Sequence, residues 1–557
     1  MNILISCHLK YYRVLIESYF QDNFSVKRSA LLVILLFTAI SSESFAQAGI
    51  LDSTFAKNGI DTCSSCGFIS IKFNSNGKIL GGASFDPPND RFAVTQSKQN
   101  GTLDSSFGIN GVTEVPQGIN SYYYPYSISV QSDGKIIEAG NCWDGIKQKW
   151  SFVLARFDTT GIVDSSFNND GEVLTSFNTL GASDYGYDAT IQSDGKIVQV
   201  GMGIDNSHTH YFAIVRYNQN GTIDNSFGTS GKVLTTIGNA APYARSVIVQ
   251  PDSKILVGGY SASAASFPVC FALARYNSNG FLDNAFGTGG KVTTYFGAGG
   301  SSGNNLDDDE AYCIALQPDG KIILAGYSYL GSDTFTTFAL ARYNTNGSLD
   351  NTFGIGGKVR MQVPGYKGSL LRAITLQEDN KIIAVGSCCN MEQCYDQNFV
   401  VARYNTNGLL DSTFGTNGIV ISQLDDASNA ANSVITQSDG KILVGGGSMN
   451  YGILARYLSG LNVGIVDLNS AGNSVFIYPN PIEQNATLKY TLQNQEAISI
   501  RLFDVQGKII KTFIENENQR VGEHQQEIVL PDNLSSGSYL IVISAANGGR
   551  VTIKVVK

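Results

Sequence analysis

Residues 317–354 read QPDGKIILAGYSYLGSDTFTTFALARYNTNGSLDNTFG, and the fold turns on this stretch. Asp319-Gly320 is a two-residue hairpin signal, because a type I′ turn needs positive φ at its central positions. Elsewhere Asn380 and Ser253 take the glycine's place; Asn tolerates that conformation fairly well, Ser less so. The segment KIILAG is apolar at successive positions, so both of its faces should be buried. A lone sandwich sheet would alternate, whereas blades stacked around an axis would not. Outward from this stretch the same landmarks return about every 60 residues. A lysine follows the turn at Lys78, Lys135, Lys196, Lys254, Lys321, Lys381 and Lys441. An (L/I/V)D pair ends at Asp52, Asp104, Asp164, Asp224, Asp283, Asp350 and Asp411. A fixed period of this length marks a repeat architecture. Each unit reads as four strands, in the fifth 291–295, 312–317, 321–326 and 338–343. Gly140, Gly201, Gly259, Gly326, Gly386 and Gly446 recur five residues after their lysines, with Ala83 in the first unit. A glycine recurring in a strand signals close backbone approach or a bulge. The expected fold is all-β: a seven-bladed β-propeller followed by a small, Ig-like C-terminal β-sandwich.

The 557 residues divide into four parts. Residues 1–46 read as a signal peptide with an N-terminal extension. Lys27 and Arg28 form its basic region, 30–40 its apolar run, and Ser44, Phe45 and Ala46 the cleavage site. An uncleaved membrane anchor is the rival reading, disfavoured because the run is short for a bilayer. Residues 47–459 hold the seven units, 460–474 a linker, and 475–557 a run of short alternating strands with turn signals. No other stretch is a transmembrane candidate. With 43% hydrophobic residues, 15% charged and 60 glycines, the chain is globular and β-rich rather than disordered. A net charge of −9 without a basic cluster argues against a nucleic-acid partner. Export permits disulfides. Cys388 and Cys394 flank a short loop between strands, which suits a hairpin bridge. Cys63 and Cys66 read as buried or locally bridged rather than as a redox or zinc half-site, since no second pair or histidine accompanies them.

The combined signature GxLDxSFGxxGKV, QxDGKII and FALARYNxNG resembles the bacterial delta-60 repeat family. LDNAFGTGGK at 282–291 and FALARYNTNG at 338–347 carry the match nearly intact, while the first unit departs with FAVTQS at 92–97. The family implies a β-propeller of unassigned role. The C-terminal part resembles the type A sorting domain of the type IX (Por) secretion system. Tyr478, Pro479, Asn480 and Pro481, LFDVQGK around Gly507, LSSG ending at Gly537, then Tyr539 and the terminal KVVK carry this resemblance in order. It implies export through the periplasm by that machinery, to the surface or the medium, usually with removal of the domain.

No catalytic constellation, cofactor site or metal site is expected. His208 and His210 read as a solvated loop pair rather than metal ligands. Asp307, Asp308, Asp309 and Glu310, in a fifth-unit insertion, read as a solvated acidic loop rather than a calcium site. Tyr122, Tyr123, Tyr124 and Tyr126, placed in a loop, are the candidate recognition patch for a glycan or protein, against core packing as the alternative. Function divides between a binding, adhesion or structural module and an extracellular enzyme acting on polysaccharide or peptide. The regularity of the units favours the first.

Arg156, Arg216, Arg275, Arg342 and Arg403 each precede an LD-type Asp by eight residues, and Gln96 takes that place before Asp104. These read as repeated structural ion pairs, exposed and so worth about 0–1 kcal/mol each. Arg456 lacks such an Asp and Asp52 lacks such an Arg. The two are expected to meet across the ring closure, with 49–59 beside 451–457.

Overall fold

A computed structural model describes residues 48–557 except 65, 86–90, 116–120, 146, 178–181, 206, 208, 239–240, 263–268, 298–307, 330–334, 391–396, 425–427, 438, 449–450, 461–475, 480–481, 483, 493–494, 505–508, 532–533, 536 and 546–549. The segment read as a signal peptide, His208, Asp307, Cys394 and nearly all of the segment read as a linker therefore lie outside the described residues.

Seven four-stranded antiparallel sheets form the first part. In blade 5 the order from the axis outward is Asp309–Leu316, Ile322–Tyr329, Thr336–Tyr343 and Lys358–Met361. The innermost strands of the other blades are Cys66–Phe73, Ser121–Val130, Tyr185–Ile191, Pro242–Val249, Gly368–Leu376 and Asn429–Thr436. Each packs on the innermost strand of the next blade, and Asn429–Thr436 packs on Cys66–Phe73, closing a seven-bladed propeller. The apolar run in KIILAG now has its reason. Ile322 and Leu324 face blade 4, where they meet Leu256 and Phe271. Ile323 and Ala325 face blade 6, where they meet Leu371 and Ile382. Outer strands run only three to five residues, which keeps each exposed edge short.

The sequence units are offset from the blades. Lys291–Thr294 opens the fifth unit but pairs with Val269–Tyr276, as the outer strand of blade 4. The YNxNG hairpin holds each such strand to the one before it. The ring therefore closes with a strand from the N-terminal end: Ile60–Ser64 pairs with Tyr451–Tyr457 as the outer strand of blade 7. Ala48, Gly49 and Ile50 take the place of the missing hairpin. Gly49 donates to Leu458 O at 2.6 Å, Leu458 to Ile50 O at 2.9 Å, and Gly415 to Ala48 O at 2.9 Å. Asn346 and Asn407 accept the corresponding bond from Gly287 and Gly354.

The Arg–Asp pairs are buried, which corrects the expectation of exposed ones. Six pairs, Arg456–Asp52 among them, sit at 2.8–2.9 Å, with Arg side chains 2–8% and Asp side chains 4–12% exposed. Each Asp also takes the turn lysine of its blade, for example Lys321–Asp350 at 2.9 Å and Lys441–Asp52 at 3.3 Å. Each Arg lies over the Phe of its SFG-type turn and donates to a carbonyl in the next blade's hairpin, as Arg275 does over Phe286 to Thr345 O. Burial of this kind arises because that hairpin folds over the pair. The side chains are thus clamps between blades. Blade 1 has Gln96 in the Arg position, donating to Asp104 at 3.1 Å.

The recurring glycines sit opposite a bulge in each innermost strand. A Cβ on Gly140, Gly201, Gly259, Gly326, Gly386 or Gly446 would stand 1.9–2.1 Å from a backbone carbonyl oxygen of that strand. Close backbone approach is therefore what requires glycine there.

One cysteine expectation changes. Cys389, not Cys388, carries a disulfide. Neighbours in a strand point to opposite faces, and Cys388 points into the core between blades 5 and 6. Cys63 is disulfide-bonded as well, which leaves it no thiolate for zinc. The acidic insertion is not simply solvated. Asp309 lies on the strand, 1% exposed, accepting from Phe296 N–H at 2.8 Å with Arg360 at 4.0 Å.

Between blades 1 and 2 the carboxyl of Glu138 is fully buried, and neither oxygen has a hydrogen bond of good geometry. Burial pushes its pKa well above the usual carboxylate range, and the Ala83 N–H offsets little of that. A raised folded pKa makes stability greatest below the unfolded value, near pH 4.5, and lowers it as pH rises from there. Glu138→Gln should therefore raise stability by about 1–3 kcal/mol at pH 8 and change it little at pH 4. Urea titrations at the two pH values check this, and equal gains at both would contradict it.

Residues 476–557 form two further sheets. Phe476–Tyr478, Asn485–Leu492 and Gly522–Val529 make one; Ile509–Gln519, Glu496–Asp504, Ser538–Ala545 and Arg550–Val556 make the other. Leu488, Tyr490 and Ile528 from the first share one core with Ile500, Leu502 and Ile541 from the second.

Candidate recognition site at the channel mouth

The meander fixes two unlike faces. Connections between first and second strands and between third and fourth strands leave from one face, as the repeat-locked DG and YNxNG turns. Connections between second and third strands and between successive blades leave from the other. That second face is where the connections of variable length leave the sheets. The innermost strands begin there, so their first residues line the mouth of the channel.

Tyr122, Tyr123, Tyr124 and Tyr126 lie on the strand Ser121–Val130, not in a loop. Alternation sorts them. Tyr123 points into the core, its hydroxyl donating to Glu172 at 3.1 Å. Tyr122, Tyr124 and Tyr126 are 41%, 39% and 37% exposed. In sheet register, the Tyr124 position is filled in blades 3 to 6 by Tyr185, Tyr243, Glu310 and Leu370, then by Ala430 and Gly67 in blades 7 and 1. Each bulge adds an unpaired position, filled by Tyr126, Tyr187, Arg245, Tyr312, Arg372, Asn432 and Ile69. The mouth is therefore lopsided. Large rings crowd blades 2 to 5, and small or aliphatic groups face them; a Cβ on Gly67 would meet nothing within 4 Å.

The rings form a continuous wall. Trp150 lies 5.2 Å from Tyr124 and stacks on Tyr185 at 6.2 Å. Tyr126 meets Tyr187 edge-on at 5.2 Å. Tyr243 stacks on Tyr260 at 4.8 Å, and Tyr312 on Tyr327 at 5.8 Å. The Arg245 guanidinium lies 4.0 Å above Tyr187 and donates to the Tyr260 hydroxyl at 3.1 Å. Arg372 approaches the Tyr312 ring at 5.1 Å, and the Tyr312 hydroxyl donates to Glu310 at 2.8 Å. Burial pushes the phenols of Tyr187, Tyr260, Tyr312 and Tyr327 above their ordinary value. They stay protonated donors near neutral pH.

His210 begins the strand His210–Tyr217, its ring 6.4 Å from that of Tyr243. Among the described residues no group of three or more His, Cys, Asp or Glu is placed to hold a metal. No helix of the described residues is long and apolar enough to cross a membrane. In the C-terminal domain Tyr478 ends a strand with the Lys489 ammonium 5.6 Å over its ring. Pro479 follows it directly. Asn480, Pro481 and Gly507 lie outside the described residues. Gly537 exchanges two 3.0 Å backbone bonds with Lys557, and the Tyr539 hydroxyl donates to Ser535 O at 2.7 Å.

Reading the sequence alone picked the blade 2 tyrosines but missed Arg245, Arg372, Trp150 and the tyrosines of blades 3 to 5. A usable signal exists. The bulge residue always stands nine places before the turn lysine, and there the units read Ile, Tyr, Tyr, Arg, Tyr, Arg, Asn.

Comparison with known families places the molecule in its class. Residues 131–167, 192–227, 250–286, 317–353, 395–414 and 437–461 match the "Domain of unknown function (DUF5122) beta-propeller". The chain is a β-propeller built of these repeats. Residues 476–557 match the "Secretion system C-terminal sorting domain". The chain thus carries a type IX (Por) sorting domain, which indicates export to the cell surface or the medium and makes that machinery a partner. No curated protein matches the chain. Solved structures similar to it include a protein of unknown function from Dyadobacter fermentans, at 10% identity and a TM-score of 0.36, covering 74% of this chain and 98% of that one. A PL25 ulvan lyase follows at 13% and 0.41, covering 74% and 94%. A family AA12 protein of Trichoderma reesei stands at 13% and 0.33, covering 73% and 97%. Likeness at this level carries no argument about activity.

Proposed function

We propose that the exported propeller is a binding module whose recognition site is the channel mouth, and that its ligand is an extracellular glycan. The observation that carries this is the wall of rings across blades 2 to 5 facing the open side at Gly67. Flat aromatic faces suit the C–H faces of sugar rings, and protonated phenols supply donors for hydroxyls. A rigid ring with variable connections on one face is a common arrangement for recognition. The enzyme reading has less support. The raised phenols that line the mouth make poor bases near neutral pH. The test is a glycan array probed with the purified full chain, then titration of the best ligand. Tyr124→Ala and Trp150→Ala should each weaken binding about tenfold or more, as loss of a stacked ring does, without lowering the melting temperature by more than a few degrees. Unchanged affinity in both variants would remove the mouth as the site.

A further inference from the structure

Ten arginines stand in the propeller, and eight of them pair with a carboxylate in the structure. The other two, Arg245 and Arg372, are the two that face the mouth. Neither has a carboxylate partner among the described residues. The Nε of each is buried without a hydrogen-bond partner. Both guanidinium carbons lie within 5.2 Å of one ring, that of Tyr312. Arg245 is further enclosed by Tyr187, Tyr243 and Tyr260, at 4.0, 5.6 and 5.5 Å.

Withdrawing a guanidinium from water without a counter-charge is costly, and cation–π contact returns only part of the cost. An anion seated against either guanidinium would offset that cost and use its idle donor. Guanidinium forks match the two oxygens of a carboxylate or sulfate. The surrounding wall of rings then favours an anion carried on a sugar over one carried on a peptide.

We propose that the mouth recognises an acidic polysaccharide, with Arg245 and Arg372 holding its carboxylate or sulfate groups beside Tyr312. This rests on the glycan reading and narrows it to one charge class. Whole-molecule attraction cannot substitute for these contacts, since the chain carries a net charge of −9 and repels polyanions at long range.

The test is affinity electrophoresis of the full chain in gels containing polygalacturonate, dextran sulfate, unmodified dextran or poly-L-glutamate. Retardation is expected with polygalacturonate or dextran sulfate, and which of the two retards tells carboxylate from sulfate. Arg245→Gln and Arg372→Gln should each weaken binding about ten- to a hundredfold. Arg245→Lys should keep more of it, and Lys98→Gln, on an exposed turn of the opposite face, should change nothing. Melting curves establish that each variant is folded, and the two arginines lie on separate blades, so a folding defect in one leaves the other as a test. Retardation by dextran alone, unaffected by the arginine variants, would overturn the acidic assignment and leave glycan binding standing. Retardation by poly-L-glutamate alone would overturn both. Wild-type mobility in all four gels would overturn the proposal, with the array deciding separately on glycan binding.

Discussion

Arg456→Ala should destabilise the propeller by about 3–5 kcal/mol, the usual cost of stranding one partner of a buried ion pair. It would leave Asp52 and Lys441 together under the closing hairpin and release the contact to Gln99 O in blade 1. Arg342→Ala removes the same clamp from blade 5. There the strands on either side stay joined by continuous chain. At the seam nothing covalent joins Leu458 to Ile50. Urea titration should therefore show similar losses for the two variants. Limited proteolysis should differ: Arg456→Ala should expose cleavage within 48–64 before any global unfolding, and Arg342→Ala should not. Wild-type resistance in Arg456→Ala would mean that the backbone bonds at the seam suffice. Acid should act on the same contact. Burial works to raise the Asp52 pKa, but Thr54, Arg456 and Lys441 outweigh it and hold the group below its usual value. In blade 6 the corresponding contacts bring Asp411 down to about 2. The stability these carboxylates lend is present above about pH 4 and is lost as pH falls through the depressed values.

The second large effect concerns export. A chain ending at Asn473, expressed in a cell that has the type IX machinery, should stay behind the outer membrane, while the full chain reaches the surface or the medium. Immunoblots of periplasm, membrane and culture fluid read this directly. Equal amounts of both chains in the culture fluid would show that the sorting domain is dispensable. Mass spectrometry of the exported protein should recover peptides from Gln47 onward and few from beyond Asn473.

The repeat was legible because each landmark answers to a local rule. The turn itself differs from the two-residue type I′ form expected of Asp319-Gly320: only Gly320 has positive φ, and Gln317 and Lys321 close a three-residue loop. The local demand for a left-handed residue was legible all the same, and seven such turns number the blades. The bulge glycines were legible as close approaches, though not what they approach. Burial was harder to read. Arg342 and Asp350 look like a surface pair in one unit, and only the hairpin of the next unit, ending its bond at Thr406, covers them. The strand of Tyr124 reads as a loop in sequence because Pro125 and the bulge at Tyr126 interrupt its alternation. The site itself is assembled from strands far apart in sequence. Arg245 and Arg372 come together only because the ring brings blades 4 and 6 to either side of Tyr312.

The place where the chain enters and leaves the ring bears on how the molecule is held. Ala48 and Gly460 are neighbours at one seam, where a Cβ on Gly460 would stand 2.3 Å from that of Ala48. That seam replaces a YNxNG hairpin, so it lies on the face of the locked turns. Any tether attached beyond either residue therefore grips the ring from behind. Hung from such a tether, the propeller presents its aromatic funnel away from its support, and the anchor and the cargo need not compete for the same side.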